Sequence, residues 1–143
     1  MISQTAEYAL RSVVCLASYP KTALTTAQIA KITKVPGSYL SKVLQALAKA
    51  RIVRSQRGLH GGFSLTQPAE ELSLLKVINA VDPLQPIERC PLDLDQHGSN
   101  LCPLHKRLND SIRMIENTFQ ESTIGDLLKE STESKPLCET PRK

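Results

Sequence analysis

Aromatic residues are scarce in this chain of 143 residues, which has three Tyr, two Phe and no Trp. The hydrophobic fraction of 41% still allows a folded core, so that core must be built from aliphatic side chains. Long apolar runs are also missing, because no stretch approaches the roughly 20 residues that cross a bilayer. The first residues show neither the cationic start nor the cleavage site of a signal sequence. We therefore expect a cytoplasmic protein with no membrane partner.

Acidic residues are almost absent from the first 66 positions, where Glu7 is the single acid beside nine Lys and Arg. Residues 67–143 contain 13 acids and nine cations, so the net charge of +4 combines a basic first half with an acidic second half. A basic segment of this kind is typical of a surface that faces a polyanion. A solvated basic surface is the alternative interpretation.

Residues 38–63 join a helical pattern to a glycine-rich one. Apolar residues recur at i, i+3, i+4 and i+7, which predicts a helix with one buried face; they are Leu40, Val43, Leu44 and Leu47. Two short β-prone segments follow at 52–55 and 63–66, and the tip between them reads R-G-L-H-G-G at 57–62. This order predicts a helix followed by a β-hairpin, the outline of a winged helix.

The flanking sequence completes a helix-turn-helix. Ser3 is a suitable cap for a first helix to about Ser18, and Thr25 and Thr26 open a second, short helix. The turn at 35–37 leads from this short helix into the one with the polar face. A further helix is predicted at 73–81. We therefore expect a mainly α fold with a small β-hairpin wing, in which residues 1–82 form a winged helix-turn-helix DNA-binding domain.

The polar face of the third helix and the wing supply the candidate DNA contacts. Gln45 suits base readout because an amide pairs bidentately with adenine, whereas Lys42 and Lys49 suit phosphates. Tyr39 has two possible roles, a phosphate contact or packing, and Arg57 suits a narrow minor groove. The predicted contacts are Ser38, Tyr39, Ser41, Lys42, Gln45, Lys49, Arg54, Arg57 and His60.

The second half contains a loop and a long helix. Residues 83–102 lack periodicity, and a helical pattern returns from 103 to about 119. Its apolar stripe is long and narrow, which predicts pairing with a second copy in a homodimer; packing on the chain's own core is the alternative. The stripe consists of Leu104, Leu108, Ile112, Ile115 and Phe119. A last helical turn is predicted at 123–128, and the polar residues 129–143 are expected to be a disordered tail.

The 83–102 loop carries two of the four cysteines. Cys90, Cys102 and His105 form a C-x11-C-x2-H pattern. Thiolates with an imidazole suit zinc or a 2Fe–2S cluster, and the two thiols also suit a redox couple. Structural disulfides are not expected in a cytoplasmic chain. Cys15, on an apolar helix face, and Cys138, in the tail, are interpreted as bystanders.

Several segments together resemble a known family. The wing Q-R-G-L-H-G-G-F-S-L, the following P-A-E-E-L-S-L-L-K-V-I-N-A-V-D, the opening A-E-Y-A-L-R and the helix P-G-S-Y-L-S-K-V-L-Q-A-L are similar to the winged-helix repressor family that includes IscR, NsrR and CymR. The resemblance covers roughly residues 1–128. It implies a homodimeric bacterial transcription regulator that contacts DNA through Ser38, Tyr39, Lys42 and the Arg57 wing, with the 103–119 helix as the dimer helix.

The same resemblance bears on the loop. Cluster-bearing members have three cysteines there, and one branch adds a histidine. Cys90 and Cys102 match the outer cysteines and His105 matches the histidine, but Gln96 stands at the middle position with His97 beside it. Glu7 occupies a place comparable to an acidic ligand of another branch. His97 and Glu7 are therefore additional candidate ligands for a set that would otherwise be incomplete.

These observations predict a homodimeric repressor whose DNA affinity depends on a 2Fe–2S cluster or on the redox state of the loop. A regulator of the same family without a cluster is the first alternative. A thiol or metal redox enzyme is the second, although no nucleophile–base pair or phosphate-binding glycine loop is recognisable. A winged helix used only for protein contacts is the third.

Overall fold

The computed structural model describes residues 2–97, 100–130, 134 and 136–137. Over these residues the chain is mainly helical, with one two-stranded antiparallel sheet. This confirms the predicted mainly α fold with a hairpin wing. The elements are α1 (Gln4–Ala17), α2 (Thr26–Thr33), α3 (Gly37–Lys49), β1 (Val53–Gln56), β2 (Gly62–Leu65), a 3-10 turn (Ala69–Glu71), α4 (Leu74–Val81), α5 (Pro103–Glu121) and α6 (Ile124–Lys129).

The helices begin where hydroxyl side chains accept orphan backbone N–H groups. The Ser3 hydroxyl accepts from the Ala6 N–H at 3.1 Å. Thr25 and Gln28 form a capping box, in which the Thr25 hydroxyl accepts from the Gln28 N–H at 3.2 Å and the Gln28 side chain accepts from the Thr25 N–H at 2.9 Å. Ser73 caps α4 in the same way as Ser3 caps α1. Each cap leaves fewer backbone donors unsatisfied, which explains why the predicted starts are correct.

The core is aliphatic, as the lack of aromatics requires. Leu40, Leu44 and Leu47 of α3 are fully buried against α1 and α4. Ile29 of α2 is also fully buried and belongs to the same core. Because the apolar side of α3 is buried, its opposite side faces solvent. The helix-turn-helix is therefore held as one unit with the polar face of α3 outward.

Each strand of the hairpin is shifted by one residue from its predicted position: β1 lies one residue later in the chain, and β2 lies one residue earlier. β1 and β2 pair from Val53↔Leu65 to Gln56↔Gly62. Ile52 precedes β1 and is shared with α3: its N–H donates to the Leu47 carbonyl at 3.0 Å and closes the end of α3, while its carbonyl accepts from the Thr66 N–H at 3.0 Å. The wing is also fastened to the start of α2, since Phe63 forms an isolated β-bridge with Leu24.

The end of α5 is joined to the DNA-binding domain by main-chain hydrogen bonds. The Leu74 N–H donates to the Ser122 carbonyl at 2.9 Å, and the Ile124 N–H donates to the Leu72 carbonyl at 2.8 Å. The Ile124 side chain is fully buried. The adjoining 3-10 turn was not predicted from sequence; α6 packs against it so closely that a Cβ on Gly125 would lie 2.8 Å from the backbone of that turn.

Part of the predicted tail lies within the described residues. Lys129 is the last residue of α6, and Leu137 is half-buried against the hydrophobic core. Residues 131–133, 135 and 138–143, and with them Cys138, lie outside the described part of the chain. Within the described part, no helix combines the length and the hydropathy needed to span a bilayer.

Candidate nucleic-acid interface

All nine predicted DNA-contact residues are exposed. Six of them lie on α3 and three on the hairpin. One is already partly engaged, because the Ser41 hydroxyl donates to the Gly37 carbonyl at 3.2 Å and so offers mainly an acceptor to a partner. Gln45 and Lys42 make no hydrogen bond or ion pair with other described residues, which leaves both groups of the Gln45 amide available.

The wing carries its cations outward. The Arg54 guanidinium donates from Nε to the hydroxyl of Ser64, its partner on the facing strand, at 3.3 Å. Arg57 and His60 stand at the exposed tip. None of the ion pairs between described residues involves a cation of α3 or of the wing. The cations of α3 and of the wing therefore keep their charge unpaired, as phosphate binding requires.

The position of Tyr39 is compatible with both of its predicted roles. Its ring packs against that of Tyr8 with centroids 6.2 Å apart and planes tilted by 60°. The residue is nevertheless 57% exposed, so the ring is supported from α1 while the rest of the side chain faces solvent. The packing is observed, and the phosphate contact of its hydroxyl stays a prediction.

Residues that support Tyr39 were not identified from sequence. Arg11 lies over the Tyr8 ring, with Cζ 5.6 Å from the centroid. Its Nε donates to Glu7 at 2.7 Å and its Nη1 donates to the Thr33 carbonyl at the end of α2 at 3.2 Å. The i, i+4 spacing of Glu7 and Arg11 is the sequence signal that would have indicated the pair.

The cysteine loop contains two separate thiol–imidazole pairs. The Cys90 Sγ lies 3.6 Å from the His97 Nδ1, and the Cys102 Sγ lies 3.3 Å from the His105 Nδ1. The backbone N–H of Leu94, and then the His97 side chain, lower the pKa of the Cys90 thiol. Cys90 is also nearly buried, at 7% exposed. The thiolate of Cys90 is thus favoured by donors that surround it.

The arrangement in one chain does not match a complete cluster site. Over the residues that the structure describes, no three His, Cys, Asp or Glu side chains come together as a metal-holding group. Glu7 is engaged by Arg11 instead. The donors are soft thiolates and imidazoles, which suit iron or zinc by type, but their placement does not fit a 2Fe–2S cluster held by one chain. Cys15 lies in the core, where burial raises the pKa of its thiol to about 11.

The loop is linked to the first half of α5. The Asn109 side chain accepts from the Ile87 N–H at 2.8 Å, and Arg113 lies 3.8 Å from Glu88. No residue of α5 is buried. Leu104 and Leu108 are 62% and 46% exposed, and Ile112, Ile115 and Phe119 are half-buried. The predicted stripe is therefore an apolar face without full cover from the chain's own described residues.

A recognition helix with an exposed, acid-free polar face, a bracing helix before it and a cationic hairpin after it defines a winged helix-turn-helix DNA-binding protein. The chain belongs to the Rrf2 family, described as iron-dependent transcriptional regulators, which it matches over residues 2–130. Members of this family regulate transcription, so the protein is a DNA-binding transcription regulator and not an enzyme.

Relatives and solved structures agree with this assignment. The chain is 29% identical over 131 residues to an HTH-type transcriptional regulator of Aquifex aeolicus, covering 90% of this chain and 91% of that protein. A Mycobacterium tuberculosis regulator of the same type is 33% identical over 131 residues, covering 88% of this chain and 80% of the other.

Two solved structures are similar in fold. T. potens IscR has a TM-score of 0.75 at 21% identity, covering 90% of this chain and 86% of its own. B. subtilis CymR, the global cysteine regulator, has a TM-score of 0.73 at 21% identity, covering 89% of this chain and 95% of its own. Identities this low show a shared fold alone.

Proposed function

We propose that the protein is a homodimeric repressor that places α3 in the major groove and the wing against the minor groove of each half-site. The observation that carries this proposal is the exposed, acid-free face of α3 continued by unpaired wing cations. In this arrangement Gln45 reads a base, Lys42 and Lys49 contact phosphates, and Arg57 enters the minor groove. Ser38, Ser41 and Tyr39 complete the contact surface of α3.

The dimer is proposed to form through the apolar stripe of α5. The C-terminal end of this helix is joined to the start of α4 through Ser122 and Ile124. Because α4 packs against α3, we expect a shift of α5 in the dimer to reach α3 through α4. Half-sites on one face of DNA lie about 34–36 Å apart. A small change in how two α5 helices meet would therefore change how well two α3 helices fit the operator.

The cysteine loop is proposed as the sensor because it connects directly to the start of α5. The redox state of its thiols is the signal that the described geometry supports best, since Cys90 is surrounded by donors that favour its thiolate. Attack of that thiolate on a peroxide breaks the O–O bond, forms a sulfenic acid and releases hydroxide, which takes up a proton to become water. The added oxygen would disturb the contact of Cys90 with His97 and, through the loop, the position of α5.

A 2Fe–2S cluster is the second candidate, favoured by the description of the family as iron-dependent. Because Cys90, His97, Cys102 and His105 form separate pairs in one chain, such a site would need a rearranged loop or a ligand from the second subunit, such as Glu7.

One purification distinguishes these candidates. The protein is prepared without oxygen, and its absorption spectrum, iron content and affinity for duplexes selected from a random pool are measured. A colourless, iron-free protein after anaerobic reconstitution eliminates the cluster. Affinity that falls on peroxide treatment in the parent but not in Cys90→Ser supports the thiol sensor.

Salt dependence tests the DNA-binding part of the proposal. Release of counterions makes the logarithm of affinity fall linearly with the logarithm of salt concentration. A winged helix that served only protein contacts would show little dependence on salt and would select no duplex from the pool.

A further inference from the structure

The tip of the wing projects one apolar side chain almost completely into solvent. Leu59 is 95% exposed. It stands in a tight turn that the Gly61 N–H closes by donating to the Gly58 carbonyl at 3.0 Å, and Gly58 has a φ of +104°. A Cβ at Gly61 would lie 2.7 Å from the Gln56 carbonyl oxygen. The glycines therefore keep the base of the turn narrow, so that Leu59 and its neighbour stand out beyond it.

The hairpin below this tip is held firmly. The Phe63 N–H donates to the Leu24 carbonyl at 2.7 Å, and the Leu24 N–H donates to the Phe63 carbonyl at 2.9 Å. Gly62, at a φ of +139°, lies so close that a Cβ would be 2.4 Å from the Leu24 backbone. The wing is thus hydrogen-bonded to the segment that precedes α2. The turn that contains Leu59 therefore has a fixed base.

Leu59 is the most exposed of the large apolar side chains among the described residues. Leu104 and Leu108 belong to the stripe of α5, and Leu92 and Leu94 belong to the cysteine loop. Leu59 instead stands between glycines, with cations on the wing around it and no acid nearby in sequence. An apolar group at the end of a cationic projection matches the side chains that minor-groove proteins insert between base pairs.

We propose that Leu59 is an apolar wedge that inserts between two adjacent base pairs at a flexible pyrimidine–purine step of the minor groove. This inference rests on the proposed placement of the wing. Arg57 binds in the electronegative minor groove, while Leu59 partly unstacks the two base pairs. The duplex then bends away from the wing. The wing then contributes specificity without a base hydrogen bond, because TA and CA steps open more easily than others.

The test uses the full-length protein and a duplex that the parent selects from a random pool, labelled at its ends for energy transfer. 2-Aminopurine replaces an adenine at the step beneath the wing to report unstacking. Leu59→Met keeps an apolar side chain, whereas Leu59→Asn keeps the approximate size but is polar. Both changes should leave the fold intact, because the side chain is 95% exposed.

We expect Leu59→Met to bend and unstack the duplex as the parent does. Leu59→Asn should bind about tenfold more weakly, equal to about 1.4 kcal/mol, with less bending and no rise in 2-aminopurine fluorescence. Unchanged bending and fluorescence in Leu59→Asn, with or without weaker binding, would overturn the wedge while leaving DNA binding intact. A parent that selects no duplex would overturn both the wedge and the proposed function.

Discussion

The rings of Tyr8 and Tyr39 pack with centroids 6.2 Å apart, which connects α1 to the DNA-facing side of α3. Arg11 continues this connection, because it lies over Tyr8 and binds both Glu7 and the Thr33 carbonyl. The first turn of α3 is therefore positioned by α1 and by the end of α2 together. Residues of α1 support the DNA-contacting face although they are not on it.

Two substitutions at Tyr39 separate packing from phosphate contact. Tyr39→Phe keeps the ring and should leave the free energy of unfolding unchanged, but it should weaken DNA binding if the hydroxyl reaches a phosphate. Tyr39→Ala should also lower the free energy of unfolding, by about 0.5–1.5 kcal/mol, because the ring pair no longer forms. Chemical denaturation and DNA titration measure the two effects. Equal affinity of parent and Tyr39→Phe would limit Tyr39 to packing.

Substitutions on the outer face of α3 should have different signatures. Gln45→Ala should relax specificity at one base, at a cost of about 1–3 kcal/mol for the preferred base pair. Lys42→Ala should weaken all duplexes alike and reduce the salt slope by about 0.9 for each phosphate that is no longer neutralised. Lys129→Ala removes a cation on α6, which lies 3.6 Å from Glu70; it is the charge control away from α3 and should bind as the parent does. Parent-like binding by both α3 variants would contradict the placement of α3 in the groove.

The attachment of the wing to α2 depends on one glycine. Gly62→Ala should destabilise the protein by about 1–3 kcal/mol, since φ is +139° and the new Cβ would meet the Leu24 backbone. Gly37→Ala is the control, because nothing lies within 4 Å of a Cβ there and alanine favours the helix. Thermal unfolding followed by circular dichroism compares the two. A Gly62→Ala protein as stable as the parent would show that the wing is not tied to α2.

The α5 stripe should determine the oligomeric state. Leu108→Asp places a charge in the middle of the stripe and should convert a dimer into a monomer, because the interface would bury an unpaired carboxylate. Asn117→Asp adds the same charge on the opposite side of the helix and should leave the dimer intact. Sedimentation velocity measures both proteins. Identical sedimentation of Leu108→Asp and the parent would place the interface elsewhere.

The cysteines should differ in reactivity. Burial raises the pKa of Cys15 from 9.0 to about 11, which lowers its thiolate fraction about 100-fold near neutral pH. Iodoacetamide at a pH of about 8 should therefore modify Cys90 and Cys102 before Cys15 in the folded protein, as read by mass spectrometry, and all three equally in denaturant. Because the folded pKa is the higher one, this thiol adds stability below pH 9.0 that is lost as the pH rises through about 11.

The sequence was informative wherever the physical cause was local. Hydroxyl caps such as Ser3 and Thr25, and the apolar spacing of α3, are decided within one or two helical turns, so the helices were predicted nearly to the residue. The strands were misplaced by one residue because the end of α3 competes for Ile52. That competition depends on a hydrogen bond to Leu47, which β-propensity does not contain.

The distances between side chains of the cysteine loop could not be predicted from their spacing in the sequence. Spacing alone suggested that Cys90, Cys102 and His105 converge, whereas the described structure separates them into two pairs, one of which uses His97. Side chains of a loop without periodicity can be brought together in many ways. Their actual distances follow from how residues 83–102 rest on α5 through hydrogen bonds such as that of Asn109.

The amino-acid sequence by itself determined the class of this protein, because charge distribution, helical periodicity and glycine placement are properties of neighbouring residues. The tertiary structure alone decided that α1 supports Tyr39, that Leu24 holds the wing and that Ser122 and Ile124 join α5 to the DNA-binding domain. These relationships join residues far apart in the chain. They arise from packing of the whole core, which no short segment encodes.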